Sequence, residues 1–217
     1  MARPRTDIQP RIVRSARTRF LEEGVDGASL RKIAADAGTN VGMVVYYFPT
    51  KDDLFLAVVE EVYAKLLDDM AHLLAANTTV RERLERVFQR LGAASDDELQ
   101  VVRLVAREGL VSSGRFGRVL ARARRGHLPM FLAVLQEGVR RGEIDPTIPL
   151  PLLLVTTFGV GGLPQLIRRA AGDAPPFSLL PLADDLAAAS IEMLFRAIEP
   201  LPRATRGRAR KASERRR

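Results

Sequence analysis

Ser29-Leu30-Arg31-Lys32-Ile33-Ala34-Ala35-Asp36-Ala37-Gly38-Thr39-Asn40-Val41-Gly42-Met43-Val44-Val45-Tyr46-Tyr47-Phe48 reads as two short helices joined by a tight turn. Ser29 can cap the first, Leu30 to Ala37. Gly38 breaks it, because glycine alone adopts at no steric cost the positive φ that such a turn needs. The second helix runs from about Asn40 to Tyr47 and ends before Pro49, which disfavours helical geometry in the residue preceding it. Ala34 is small where the two helices cross. Ile33 and Val44 pack one helix onto the other. This is the spacing of a helix-turn-helix, and it leaves the opposite face of 40–47 free to enter a DNA major groove, which is wide enough for one helix.

The flanks are helical too, and no strand-like alternation is sustained anywhere. Upstream, residues 8–23 place Ile12, Ala16 and Phe20 on one face, with Gly24 as a stop and Asp26-Gly27 as a turn signal. Downstream, Thr50 caps a long helix to about Ala76. Asp52 and Asp53 in its first turn suit the helix dipole, and Leu54, Val58, Val62, Leu66, Met70 and Leu73 form its apolar stripe. Five more helices follow near 79–93, 97–111, 116–141, 150–170 and 181–199. The fold class is therefore all-α with about nine helices: a three-helix domain over residues 1–51 carrying the motif at 29–48, a larger helical domain over 52–200, and a disordered basic tail over 201–217.

Composition sets the partners. The 217-residue chain carries a net charge of +8 and no cysteine, so disulfides and thiolate metal sites are excluded and a cytoplasmic setting is expected. Residues 203–217 hold eight basic side chains against one acid, and residues 1–51 hold nine against five. Positive charge thus gathers at the two ends, as expected if the termini meet phosphate. Arg3 and Arg5 precede the first helix and suit a minor-groove arm as well as a solvated tail. Pro146 to Ile167 is uncharged and long enough to span a bilayer, but four prolines and three glycines favour a helix buried at an intramolecular or dimer contact, and no membrane partner is expected.

From Ile12 to Tyr63 the sequence resembles the DNA-binding domain of the tetracycline-repressor (TetR) family. The matching pieces are Ala16-Arg17-Thr18-Arg19-Phe20, Glu23-Gly24, Ser29-Leu30-Arg31-Lys32-Ile33-Ala34, Ala37-Gly38, Gly42, and Tyr46-Tyr47-Phe48-Pro49-Thr50-Lys51. The resemblance implies that Ser29, Arg31 and Lys51 touch phosphate. Thr39 and Asn40 would open the recognition helix, Val41, Gly42 and Met43 continue it, and Tyr46 and Tyr47 contact the DNA backbone at its end. Asn40 can bond an adenine edge, and Val41 and Met43 can meet a thymine methyl group. Thr39-Asn40-Val41-Gly42 departs from the family's commoner Val-Ser-Lys-Gly, and Val45 stands where many members carry a tyrosine.

The resemblance further implies a homodimer built on the helices near 150–170 and 181–199, with Leu182, Leu186, Ala189, Met193 and Ile198 on the apolar face of the latter. It also implies a small effector that releases a palindromic operator, and an apolar pocket with a few polar anchors suits a hydrophobic molecule, an anionic one included. Candidate effector contacts are polar or aromatic groups on apolar helices: Arg103, Arg107, His127, Phe131, Thr157 and Phe158, with Gln165 beside them. No enzyme is expected. The chain has two histidines, His72 and His127, too few for a histidine metal site; Gly159-Val160-Gly161-Gly162 lacks the third glycine and the preceding strand of a phosphate loop; the acidic pairs are sequence neighbours that point apart on a helix. No metal or cofactor is implied. The competing reading is a helical protein-partner-binding module with weak nonspecific DNA affinity.

Overall fold

A computed structural model describes residues 7–111 and 113–200. Arg3, Arg5 and the basic tail over 201–217 lie outside the described residues. The elements run α1 (Ile8–Gly27), α2 (Leu30–Asp36), α3 (Val41–Tyr47), α4 (Lys51–Ala75), α5 (Val80–Gly92), α6 (Asp96–Val111), α7 (Ser113–Arg125), α8 (His127–Arg141), α9 (Leu150–Thr157), a π-helical turn (Phe158–Gly162), α10 (Leu163–Ala171) and α11 (Ala183–Ile198). No strand occurs among the described residues.

Two apolar cores organise these helices. The first joins Ile12, Phe20, Ile33 and Val44, all fully buried, to Leu54, Phe55 and Val58 on α4 and to Val101 and Leu104 on α6. Each such side chain contributes about 1.5–3 kcal/mol relative to leaving it in water. The second core joins Leu66, Met70 and Leu74 on the far half of α4 to Phe88 on α5, Phe131 on α8, Leu153 on α9 and Ile191 on α11. Helix α4 is thus a single rod with one end in each core. Its start is fixed by a reciprocal capping box: Thr50 Oγ1 accepts the Asp53 N–H at 3.1 Å and Asp53 Oδ2 accepts the Thr50 N–H at 3.1 Å.

Three boundaries differ from the sequence reading. Gly24 leaves helical geometry (φ 77°, ψ 164°), but a further turn carries α1 on to Gly27. The helix expected over 116–141 is two helices broken at Gly126 (φ −116°, ψ −112°). Pro129 explains this: inside a continuous helix its ring would collide with the carbonyl of Arg125, whereas in the first turn of a new helix it is tolerated. The helix expected over 150–170 is continuous but contains the π turn. There Gly161 lets the Phe88 ring approach so closely that an added Cβ would stand 1.9 Å from it. The face expected on the last helix is divided. Leu186 and Ile198 are buried in the chain's own core, while Leu182 and Met193 are exposed.

Candidate nucleic-acid interface and internal cavities

The helix-turn-helix is built from its buried side outward. Ile33, Ala34 and Val44 close the contact between α2 and α3. Gly38 takes φ 62° in the turn, and the guanidinium of Arg11 lies over it, where an added Cβ would stand 2.3 Å from Arg11 Nη2. Arg19 Nε donates to Asp36 Oδ2 at 2.7 Å, tying α1 to the end of α2, and that bond holds the Asp36 carboxyl below its ordinary pKa.

With that side fixed, α3 presents the other. Tyr46 is 76% exposed, and its ring meets Tyr47 edge-on at 5.3 Å. Gly42 is exposed and Met43 partly so. Arg31 is exposed on α2, and Thr39 is half-buried in the turn. Ser29 stands at the cap position of α2 in extended geometry but makes no side-chain cap bond, so its hydroxyl does not play the capping role read from the sequence. Asn40 does cap: its Oδ1 accepts the Met43 N–H at 3.0 Å. A two-point bond to adenine would therefore sacrifice a cap that contributes about 1 kcal/mol, whereas the Asn40 Nδ2 donors stay available. Val41 and Tyr47 pack partly against the first core. Lys51 opens α4 and donates Nζ to the Asp26 carbonyl at 2.7 Å, leaving two ammonium donors at a helix N-terminus, a site suited to phosphate.

Behind this surface lies a charged junction that sequence reasoning missed. Arg115 on α7 donates Nε to Asp52 Oδ1 at 2.9 Å and Nη1 to Glu108 Oε2 at 2.6 Å, and it bonds Asp26 through both Nη groups. Glu108 in turn accepts the Val25 N–H. Arg107 on α6 donates to the carbonyls of Phe20 and Leu21. The partners of Arg115 are up to 89 residues away, so no local sequence signal marks the junction.

Two cavities lie beside α4. The inner one, about 420 Å³, is walled by Met70 on α4, Val102 on α6, Phe131 on α8 and Leu166 on α10. The outer one, about 620 Å³, is walled by Val59 on α4, Val105 on α6 and Phe116 and Leu120 on α7. Tyr63, Leu67, His127 and Phe158 border both. These volumes suit a small organic molecule. Of the sequence-read effector candidates, His127, Phe131 and Phe158 come together here. Thr157 is fully buried, with its hydroxyl bonded to the Leu153 carbonyl at 2.7 Å. Arg103 and Arg107 lie outside both walls, Arg103 donating to the Ala170 carbonyl at 3.2 Å. Gln165 is fully buried and donates to the Ala183 carbonyl. Tyr63 and Leu67 were missed because they fall just off the stripe that buries α4.

On the far side, α9 to α10 and α11 pack on each other and leave apolar groups uncovered: Val155 at 68% and Leu182 at 73% exposure, with Leu152, Leu163 and Met193 also exposed. Leu150–Ala171 is long and apolar enough to cross a membrane, yet only 28% of its most apolar window is buried inside the chain.

Residues 12–58 match the family described as bacterial regulatory proteins, tetR family. The chain is 27% identical over 165 residues to the probable HTH-type transcriptional regulator YttP of Bacillus subtilis, covering 75% of this chain and 79% of that protein. It is 28% identical over 176 residues to the HTH-type transcriptional repressor SCO4008 of Streptomyces coelicolor, covering 79% and 87%. The transcriptional regulator FadR from Bacillus subtilis, solved with stearoyl-CoA, superposes with a TM-score of 0.67 at 20% identity over 88% of this chain and 99% of that one, a likeness of fold.

Proposed function

We propose that this chain, which belongs to the tetR family of bacterial regulatory proteins and is a DNA-binding transcriptional regulator, holds a palindromic operator as a homodimer and releases it when a small, mostly apolar effector occupies the cavities beside α4. The observation that carries this reading is the two-sidedness of α3. Val44 is fully buried on one side and Tyr46 is 76% exposed on the other, so the motif is locked in shape with an unpartnered face.

On DNA, α3 enters the major groove. Gly42 allows close approach, Met43 and the Nδ2 of Asn40 face the bases, and Thr39 serves a base or a phosphate. Ser29, Arg31, Tyr46, Tyr47 and Lys51 hold the backbone and fix the register. Val41 contributes chiefly by seating α3 on the core. The uncovered faces of α9–α10 and α11 pair with those of a second copy, as exposed apolar area on this scale favours. The two recognition helices then meet half-sites about 34–36 Å apart, one turn of DNA.

Effector and DNA oppose each other through α4 and α7. Both helices wall the outer cavity, and both reach the DNA-binding core: α4 by its first turns, α7 by Arg115. A ligand that spreads α4 from α7 shifts the start of α4, changes the half-site separation and weakens DNA binding. By linkage, DNA then weakens the ligand to the same degree. Regulation is by binding alone, in the cytoplasm, with FadR as a neighbour of the same fold that was solved with a ligand.

The test is a titration of the full chain onto DNA flanking its own gene at two salt concentrations, with a random duplex as control. Tight binding to one short dyad, with the random duplex bound weakly and lost steeply with salt, supports the reading. Equal, weak binding to both duplexes overturns it in favour of a partner-binding module.

A further inference from the structure

The walls of the two cavities limit what they can hold. Among the described residues, the inner cavity has no charged side chain in its lining. The outer has two, Glu60 and Arg122, and these already bond each other, Nε to Oε1, at 2.7 Å. A charged group held against these walls would lose part of its water and find no free counter-ion; in the outer cavity it would have to displace one partner of an existing pair. Burying an unpaired charge costs far more than burying a hydrogen-bonded neutral group.

The shared wall offers a different kind of contact. The His127 ring lies 6.4 Å from the Tyr63 ring and edge-on to Phe131 at 6.5 Å, and its Nδ1 is buried without a hydrogen-bond partner. Burial lowers the His127 pKa and raises that of Tyr63, so both stay neutral near pH 7. A neutral imidazole supplies one donor and one acceptor. Among the described residues nothing bonds that buried nitrogen.

Resting on the effector reading above, we propose that the ligand is an uncharged, largely apolar molecule that lies across both cavities past Leu67, with one hydroxyl, carbonyl or N–H group hydrogen-bonded to His127. Such a ligand sets its one polar group against the histidine that borders both cavities and leaves the Glu60–Arg122 pair intact.

N-Phenyl-1-naphthylamine and 1-anilinonaphthalene-8-sulfonate share one ring system and differ by a sulfonate, so fluorescence titration of the full chain with each isolates the charge. The uncharged dye is expected to bind at least tenfold more tightly. Leu67→Trp, which fills the wall between the cavities, is expected to abolish its binding. Gly159→Phe is the second blocking variant, at a lining position where an added Cβ meets nothing within 4 Å. Competition by 1-naphthol and 1-methylnaphthalene then reads the hydrogen bond. The wild type favours the naphthol by roughly three- to tenfold, and His127→Phe removes the preference. Equal or tighter sulfonate binding that both blocking variants abolish overturns the uncharged class and leaves the effector reading standing. A naphthol preference that survives in His127→Phe overturns the role of His127. Failure of the uncharged dye to bind, or binding that neither blocking variant alters, removes the cavities as a ligand site and the effector reading with them.

Discussion

Arg115 on α7 donates Nη1 to the Asp26 carboxylate at 3.1 Å, across 89 residues of chain. Asp26 sits at the end of α1 in the DNA-binding core, and α7 walls the outer cavity. One guanidinium therefore joins the part of the chain that would sense a ligand to the part that would hold DNA. Its planar fork serves Asp26, Asp52 and Glu108 together, a geometry that a lysine cannot reproduce.

Replacing that side chain tests the junction. Glu108 is 4% exposed and Arg115 7%, so Arg115→Ala takes the 2.6 Å partner from a buried carboxylate and leaves it Arg107 at 3.7 Å, and urea unfolding is expected to show a loss of about 1–3 kcal/mol. Arg115→Lys should recover only part of it. Asp26 contributes in a defined pH range. The Arg115 hydrogen bond holds its carboxyl below the ordinary value of 3.8, so its share is complete above that value and fades as pH falls through the lowered one. An Arg115→Ala protein as stable as the wild type would refute the account of the junction.

His127 gives the chain a second pH response, of the same sign for a different reason. Burial lowers its pKa from 6.5. Below that value the unfolded chain takes up a proton that the folded chain refuses, so stability falls as pH drops from 6.5 toward the lowered pKa. Unfolding midpoints from pH 7.5 to 5.5 should decline for the wild type, and the decline should shrink in His127→Gln. Parallel curves for the two proteins would count against a desolvated imidazole.

Tyr46 separates DNA binding from folding. Its side chain lies largely in solvent, so Tyr46→Ala is expected to change unfolding free energy by less than about 0.5 kcal/mol. Operator affinity should nonetheless fall about tenfold, or 1.4 kcal/mol, the scale of one good contact. Fluorescence anisotropy at fixed salt checks this, and unchanged affinity would remove Tyr46 from the interface.

The exposed apolar face of α9 and α11 makes a prediction about assembly. Val155→Glu places a charge where the proposed partner packs but where the single chain leaves the residue 68% exposed. Light scattering should show a monomer, with helical content retained and operator affinity sharply reduced. A dimer that persists in Val155→Glu and in Leu182→Glu would place the interface elsewhere.

What the sequence revealed and what it hid follow from interaction range. The helix-turn-helix was legible because Ala34, Gly38 and Val44 act on neighbours within fifteen residues, and Gly38 and Thr50 carry the backbone and capping roles their residue types imply. The break at Gly126 was written in Pro129, but the apolar spacing continues across it and masks the break. Gly161 in the π turn meets Phe88, 73 residues earlier, a contact that periodicity cannot show. Arg103 and Arg107 stood out as cations on an apolar helix, yet backbone carbonyls in other helices accept from them. Tyr63 and Leu67 became visible as cavity residues only once α6, α7 and α8 had closed around α4.

The central claim is that α3 of two copies reads DNA one helical turn apart. A hydroxyl-radical footprint of the full chain on the duplex flanking its gene measures this directly. The account predicts two protected patches related by a dyad, with centres about 10 base pairs apart or a multiple of that; Tyr46→Ala should weaken both together. Uniform protection along the duplex, or none at concentrations that saturate a random duplex, would contradict it.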